Sequence, residues 1–185
     1  MSDHSWNGNE HNLLFESIGN GQFADVARPL GCDATEDSRG VAIADLDGDG
    51  RLDVVVCNNA NPPAIYLNRL RSTGNWLRLD IRGGEGKDVS RDAIGTRVTM
   101  AFDQNGSERQ LTRWVEAGSG YASQSDMQLH FGLAGVDKIN WLEVTWPNGE
   151  KERMEGDTVK SLINCEARIV RGVGKIETRH SATTK

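Results

Sequence analysis

Residues 45–53 read Asp45-Leu46-Asp47-Gly48-Asp49-Gly50-Arg51-Leu52-Asp53, placing four carboxylates at positions 1, 3, 5 and 9 of one short loop. Unshielded like charges about 4 Å apart repel by roughly 1 kcal/mol per pair in bulk water, and by about 4 at the effective dielectric of a protein surface. An ordinary acidic turn needs one or two Asp or Gly residues, not this array. A hard divalent cation removes the repulsion, and calcium accepts six to eight oxygens in flexible geometry. Gly48 and Gly50 let the chain curl so that alternate side chains converge. The predicted ligands are therefore Asp45, Asp47, Asp49 and Asp53 through carboxylates and Arg51 through its carbonyl, with calcium as the ion.

An EF-hand loop opens with the same alternation of acids and glycine, but it needs a bidentate Glu at position 12, where this chain has Val56. Its flanks should also be amphipathic helices. Here Gly40-Val-Ala-Ile-Ala44 precedes the acids and Leu52-Asp-Val-Val-Val-Cys57 follows them. Both are short, rich in β-branched or small apolar residues and closed by turn formers, which predicts strand–loop–strand.

Upstream and around the loop run Asn12-Leu-Leu-Phe15, Gly19-Asn-Gly-Gln-Phe23-Ala-Asp-Val26, Ser38-Arg-Gly-Val-Ala42 and Asn58-Asn59. With Asp45 to Asp53, this order resembles one FG-GAP repeat, the integrin-type β-propeller blade with its calcium loop. Downstream stand Asn75-Trp-Leu-Arg78, Ser90-Arg-Asp-Ala-Ile-Gly-Thr-Arg-Val98, Gly118-Ser-Gly-Tyr-Ala-Ser-Gln-Ser125, Leu129-His-Phe-Gly-Leu133 and Val144-Thr-Trp-Pro-Asn-Gly149. These are similar to the ASPIC/UnbV domain of the cartilage acidic protein family and bacterial relatives. The resemblance implies a blade-like calcium-binding sheet over residues 6–70, a second β domain over 75–172, and an extracellular or periplasmic setting. Proteins with these modules usually carry several blades, whereas this chain has room for one, and a propeller closes only with four or more. Two readings follow: a C-terminal portion of a longer protein, or a stand-alone variant whose blade packs on its own second domain.

The 185 residues suffice for two small domains with a real core. Net charge is −6 and no basic stripe stands out, which argues against a nucleic-acid partner. Apolar stretches are too short for a membrane span. The start Met1-Ser-Asp-His-Ser-Trp6-Asn-Gly8 has no positive segment followed by an apolar one, so no signal peptide is expected there. Cys32, Cys57 and Cys165 are odd in number and lack paired metal-ligand spacing. Cys57, ending an apolar run, reads as a small buried hydrophobe, and a Cys32–Cys165 disulfide stands as the alternative to free thiols.

Period-two patterning dominates. Leu77, Leu79 and Ile81 alternate with Arg78, Asp80 and Arg82; Val98, Met100 and Phe102 with Arg97, Thr99 and Ala101; Leu142, Val144 and Trp146 with Glu143 and Thr145. Each predicts a strand with one face on the core and the other in water. Asn105-Gly106 is a two-residue hairpin signal, and Pro147-Asn148-Gly149 a second turn. The fold expected is all-β: a single propeller-blade-like calcium-binding sheet packed on a β-sandwich or barrel. A linker falls near Leu70–Gly74, and residues 173–185 read as a flexible tail.

Of the five tryptophans, Trp146 shares a phase with Leu142 and Val144 and belongs to the core, while Trp114 is the better surface candidate. Ser119, Ser123 and Ser125 near Asp126 and His130 invite a hydrolase reading. Gly-x-Ser-x-Gly is absent, however, and no strand-to-helix elbow frames Ser119. Glu116, Asp80 and Asp92 read as surface carboxylates and not a glycosidase pair. No catalytic residue is assigned. The expected function is a non-catalytic calcium-binding β module for extracellular recognition or adhesion, of carbohydrate or protein. A hydrolase or an accessory domain of one is the alternative. The apolar residues Leu14, Phe15, Phe23, Val41, Ile43, Val54 and Val56 of the lone blade must then be buried. Docking on residues 76–172 gives a monomer and is favoured; pairing with a second copy gives a homodimer.

Overall fold

The computed structural model describes residues 9–71, 74–84 and 88–181. Trp6, the first residues of the expected 6–70 domain, the middle of the 70–74 linker and residues 182–185 of the expected tail lie outside them. β1 (Phe15–Gly19) and β2 (Gln22–Asp25) form a hairpin, closed at Asn20 and Gly21 with φ of 51° and 72°. One helical turn, α1 (Ala27–Leu30), follows. β3 (Ser38–Ala44), β4 (Asp53–Asn58) and β5 (Ala64–Tyr66) make an antiparallel meander in that order. Asp45, Asp47 and Asp49 thus sit between β3 and β4, as the strand–loop–strand reading has them, and Asp53 opens β4.

Next come β6 (Asn75–Arg82), β7 (Arg97–Gln104), β8 (Ser107–Trp114), β9 (Leu129–Ala134), β10 (Trp141–Thr145) and β11 (Lys151–Glu155). The single turn α2 (Asp157–Lys160), β12 (Cys165–Val170) and β13 (Ile176–Ser181) complete the chain. They build two four-stranded sheets, ordered β11-β10-β7-β8 and β13-β12-β6-β9. Every pairing is antiparallel except β6 with β12. Val98, Met100, Phe102, Leu142, Val144 and Trp146 from the first sheet and its turn share one core with Leu77, Leu79, Ile81, Phe131 and Ile169 of the second. That arrangement is a β-sandwich, with the alternating apolar residues on its inner faces. The Asn105-Gly106 turn has φ of 53° and 75°, the left-handed pair that a two-residue hairpin demands. None of the sheets closes into a barrel or propeller.

By contacts the chain divides into two compact units that are not cut at one point. The first comprises Met1–Leu46, Leu52–Asn68 and Gly118–Ser125; the second comprises Asp47–Arg51, Arg69–Ala117 and Asp126–Lys185.

Four expectations are corrected. Asp80, placed in water by alternation, is 4% exposed, because the outer face of β6 is covered by guanidiniums. Cys57 is exposed: Val56 turns inward, and the next residue on the strand must point out. All three cysteines are free. The stretch read as a flexible tail contains β13, which pairs along β12 from Ile169↔Ile176 to Cys165↔Ser181 and is anchored where Ile176 packs on the core. Finally, of the seven blade residues expected to be covered, only Val56 is buried, and Val54 is half-buried. Leu14, Phe15, Phe23, Val41 and Ile43 are exposed. Leu14, Val41 and Ile43, with Leu13, Val54 and Val56, line a groove of about 440 Å³ within the first unit.

Candidate metal centre

Gly48 and Gly50, with φ of 76° and 85°, carry the loop through left-handed backbone that side chains disfavour. The curl brings one carboxylate oxygen each from Asp45, Asp47 and Asp49 within 4.8 Å of one another. Two oxygens bound at 2.3–2.6 Å to one ion can be no more than about 5 Å apart, so these three fit around a calcium-sized cation. All three donors are hard oxygens, the type that calcium selects and zinc or copper do not.

The remaining predicted ligands stand differently. Asp53 is outside this cluster and 1% exposed. Its two oxygens accept the amides of Leu46 at 2.9 Å and Asn68 at 2.7 Å, tying the loop to the strand beyond it. Arg51 turns to Asp49: its amide donates to Oδ1 at 2.9 Å and its guanidinium pairs with the same carboxylate. Arg69, which the sequence reading passed over, pairs with Asp47 at 2.9 Å. Two guanidiniums therefore offset part of the four-carboxylate repulsion from within the chain.

Two more contacts at this loop come from distant sequence. Nε2 of His130 donates to the carbonyl of Gly50 at 2.9 Å, and the indole of Trp76 lies against the same glycine. His130, read as a structural residue in a strand, is on β9 as expected; nothing local in the sequence announces its partner.

The Gly118–Ser125 segment is a strand cover. β3 is an edge strand, and two of its outward amides find hydroxyls: Val41 donates to Ser123 Oγ and Ile43 to Ser125 Oγ, each at 3.1 Å. Serines two apart match strand residues two apart, since both repeat with the pleat. Gly40 permits the approach, because a Cβ there would meet Ser123 Oγ at 2.7 Å. Ser123 Oγ donates in turn to the carbonyl of Tyr121 at 2.8 Å. Ser119 Oγ lies 3.0 Å from Ser125 Oγ and accepts the Ser125 amide at 2.9 Å.

Of the other weighed carboxylates, Asp80 and Asp92 are tied to arginines, and Glu116 is exposed. Arg82 reaches Asp80 Oδ1 at 2.7 Å and Asp92 Oδ1 at 2.6 Å. A hydrogen bond from Arg91, with the charge of Arg91 and Arg82, holds the Asp92 carboxyl below the usual range. Trp146 is buried and donates to Glu152 Oε1 at 2.8 Å, while Trp114 is exposed on the outer face of β8. Trp141 carries the Arg153 guanidinium 4.1 Å above its ring.

Residues 4–56 match the family described as FG-GAP-like repeat, and residues 86–168 match that described as ASPIC and UnbV. Over 124 residues the chain is 35% identical to cartilage acidic protein 1 of Xenopus tropicalis, a stretch covering 64% of this chain and 18% of that protein. The mouse and human cartilage acidic protein 1 are each 32% identical over 114 residues, covering 60% of this chain and 16% of theirs. The matched stretch is thus less than a fifth of the length of these curated relatives. Among the described residues, no helix is long and apolar enough to cross a membrane.

Proposed function

We propose that this chain, which carries an FG-GAP-like repeat followed by an ASPIC/UnbV region, is a non-catalytic calcium-binding β module for extracellular recognition or adhesion. The observation that carries the reading is the gathering of the Asp45, Asp47 and Asp49 carboxylates on a strand–loop–strand frame within the repeat. When bound, calcium supplies a positive centre that cancels their repulsion and fixes the loop. Arg51 and Arg69 pair with Asp49 and Asp47, so an entering cation competes with two guanidiniums. Asp53 serves the frame by anchoring the backbone at Leu46 in the loop and at Asn68 just past β5.

A protein or carbohydrate ligand is the partner we assign. The exposed apolar groove beside β3 supports recognition, since patches of this kind mark interaction sites more often than bare surface. The serine cluster supports a non-catalytic role: its hydroxyls are engaged with each other, with backbone amides and with a carbonyl. Similarity to cartilage acidic protein 1 supports an extracellular setting. Calorimetric titration of calcium into metal-stripped protein tests the core of the reading. One site per chain is expected, lost in Asp47→Ala; no binding to the unmodified chain would refute it.

A further inference from the structure

Gly50 lies between Asp49 and Arg51, two of the predicted ligand positions, and it is buried. A Cβ built on it would overlap the indole of Trp76. Its carbonyl accepts the hydrogen bond from His130, which places the imidazole proton on Nε2, because a carbonyl cannot donate. Trp76 and His130 stack on each other, with ring centroids 6.4 Å apart and planes 10° from parallel. The β6–β9 register, with Trp76 opposite Gly132 and Arg78 opposite His130, sets the two rings diagonally on one face. The backbone of Trp76 is clamped by Asn164, whose side-chain oxygen accepts the Trp76 amide at 3.1 Å and whose backbone N–H donates to the Trp76 carbonyl at 2.8 Å. The tip of the Asp-rich loop, residues 47–51, therefore clusters with the sandwich and rests on a rigid platform within it.

We infer that Trp76 and His130 are positioning residues for the calcium loop, so that the cation affinity of the FG-GAP-like repeat is set partly by the ASPIC/UnbV region. The inference rests on the calcium reading above. His130 lies within the residues matched to ASPIC and UnbV, outside those matched to the repeat. Its hydrogen bond fixes the orientation of the Gly50–Arg51 peptide, and with it the path of the chain between Asp49 and the Arg51 carbonyl. Pre-ordering of this kind lowers the conformational cost of binding. Loss of such an outer-sphere contact at a metal site typically weakens affinity by about 10- to 100-fold. Trp76 acts as the wall that prevents the glycine from shifting toward the sheet.

Calcium dissociation constants, measured by competition with a chromophoric chelator, test this on the full chain with two variants. His130→Phe keeps a ring for stacking on Trp76 but removes the donor. His130→Gln retains an N–H that can reach the carbonyl. The expected result is affinity weakened about tenfold or more in His130→Phe, most of it recovered in His130→Gln. Calcium should also shift the indole emission of the unmodified chain, and Trp76→Phe should remove that shift. Should His130→Phe fail to fold, the comparison of His130→Gln with the unmodified chain and the emission shift decide. Equal affinity in His130→Phe, or His130→Gln as weak as His130→Phe, overturns the inference while leaving the calcium reading intact. Absence of binding to the unmodified chain overturns both.

Discussion

Asp80 and Arg168 face each other across the parallel pair of β6 and β12, and one carboxylate oxygen receives both Nε at 2.8 Å and an Nη nitrogen at 2.6 Å. Arg82 at 2.7 Å and Arg179 at 3.3 Å complete the ring of guanidiniums. The carboxylate is buried, whereas the guanidiniums keep some contact with water. Asp80→Asn leaves three cations around a neutral amide. Removing one partner of a buried pair costs about 3–5 kcal/mol, and the partial exposure here favours the lower end. Urea denaturation should show a loss of about 3 kcal/mol; a loss below half of that would mean the network is ornamental.

The acids of the loop separate into two kinds by a melting experiment in chelator and in calcium. Asp53→Ala removes two hydrogen bonds to a buried charged acceptor and should cost about 3 kcal/mol in either buffer. Asp47 is exposed and, among the described residues, paired with exposed Arg69, so Asp47→Ala should be within about 0.5 kcal/mol of the unmodified chain in chelator. In calcium at a hundredfold excess over the dissociation constant, the unmodified chain should gain about 2.7 kcal/mol and Asp47→Ala should gain nothing.

Removing the hydroxyls that cap β3 should loosen that edge. Ser123→Ala forfeits the bonds to the Val41 amide and the Tyr121 carbonyl, and Ser125→Ala those to the Ile43 amide and Ser119 Oγ, each bond worth about 1 kcal/mol. The Val41 and Ile43 amides should then exchange with solvent faster, and the double variant should self-associate on gel filtration, as an uncovered edge strand does. Unchanged exchange at those two amides would contradict the covering role.

Thiol chemistry should follow burial. Burial pushes the Cys165 thiol up to about 11 from an ordinary 9.0, while Cys57 is exposed. At pH 8 an aromatic disulfide reagent should label Cys57 in the native chain and Cys165 only after unfolding. The unfolded chain loses the Cys165 proton near pH 9, and the folded chain holds it until about 11. Stability attributable to this group is complete below pH 9 and falls as pH rises from 9 to 11. Cys165→Ala should flatten that part of a stability-versus-pH curve.

Local signals in the sequence carried through to the structure, and distant ones did not. The Asn105-Gly106 hairpin, the strands flanking the acids and the inward phase of Leu142, Val144 and Trp146 each depend on neighbours a few residues away. Asp80 looked like a water-facing residue because alternation reports the side of a strand, not what covers that side. Arg82 is two residues away on the same strand, but Arg168 and Arg179 arrive from β12 and β13, after about half the chain has intervened. Cys57 and Val56 were assigned together from one apolar run, although the pleat sends them to opposite faces. The contact of His130 with Gly50 spans 80 positions, so no window on the sequence contains both. The serine-rich segment was legible as a structural loop, but its target strand was not.

The interleaving of the two units bears on how such a chain is inherited and synthesised. A break at residues 70–74 would look harmless on a map of repeats, yet it strips Gly118–Ser125 from the first unit and Asp47–Arg51 from the second. On the ribosome, β3 emerges well before Ser123 and Ser125, so its outer edge stays bare until β6, β7 and β8 of the sandwich have been made. Genetic shuffling of the repeat without its following region would deliver a loop without its support and a strand without its cover. The two regions are therefore expected to travel as one hereditary block.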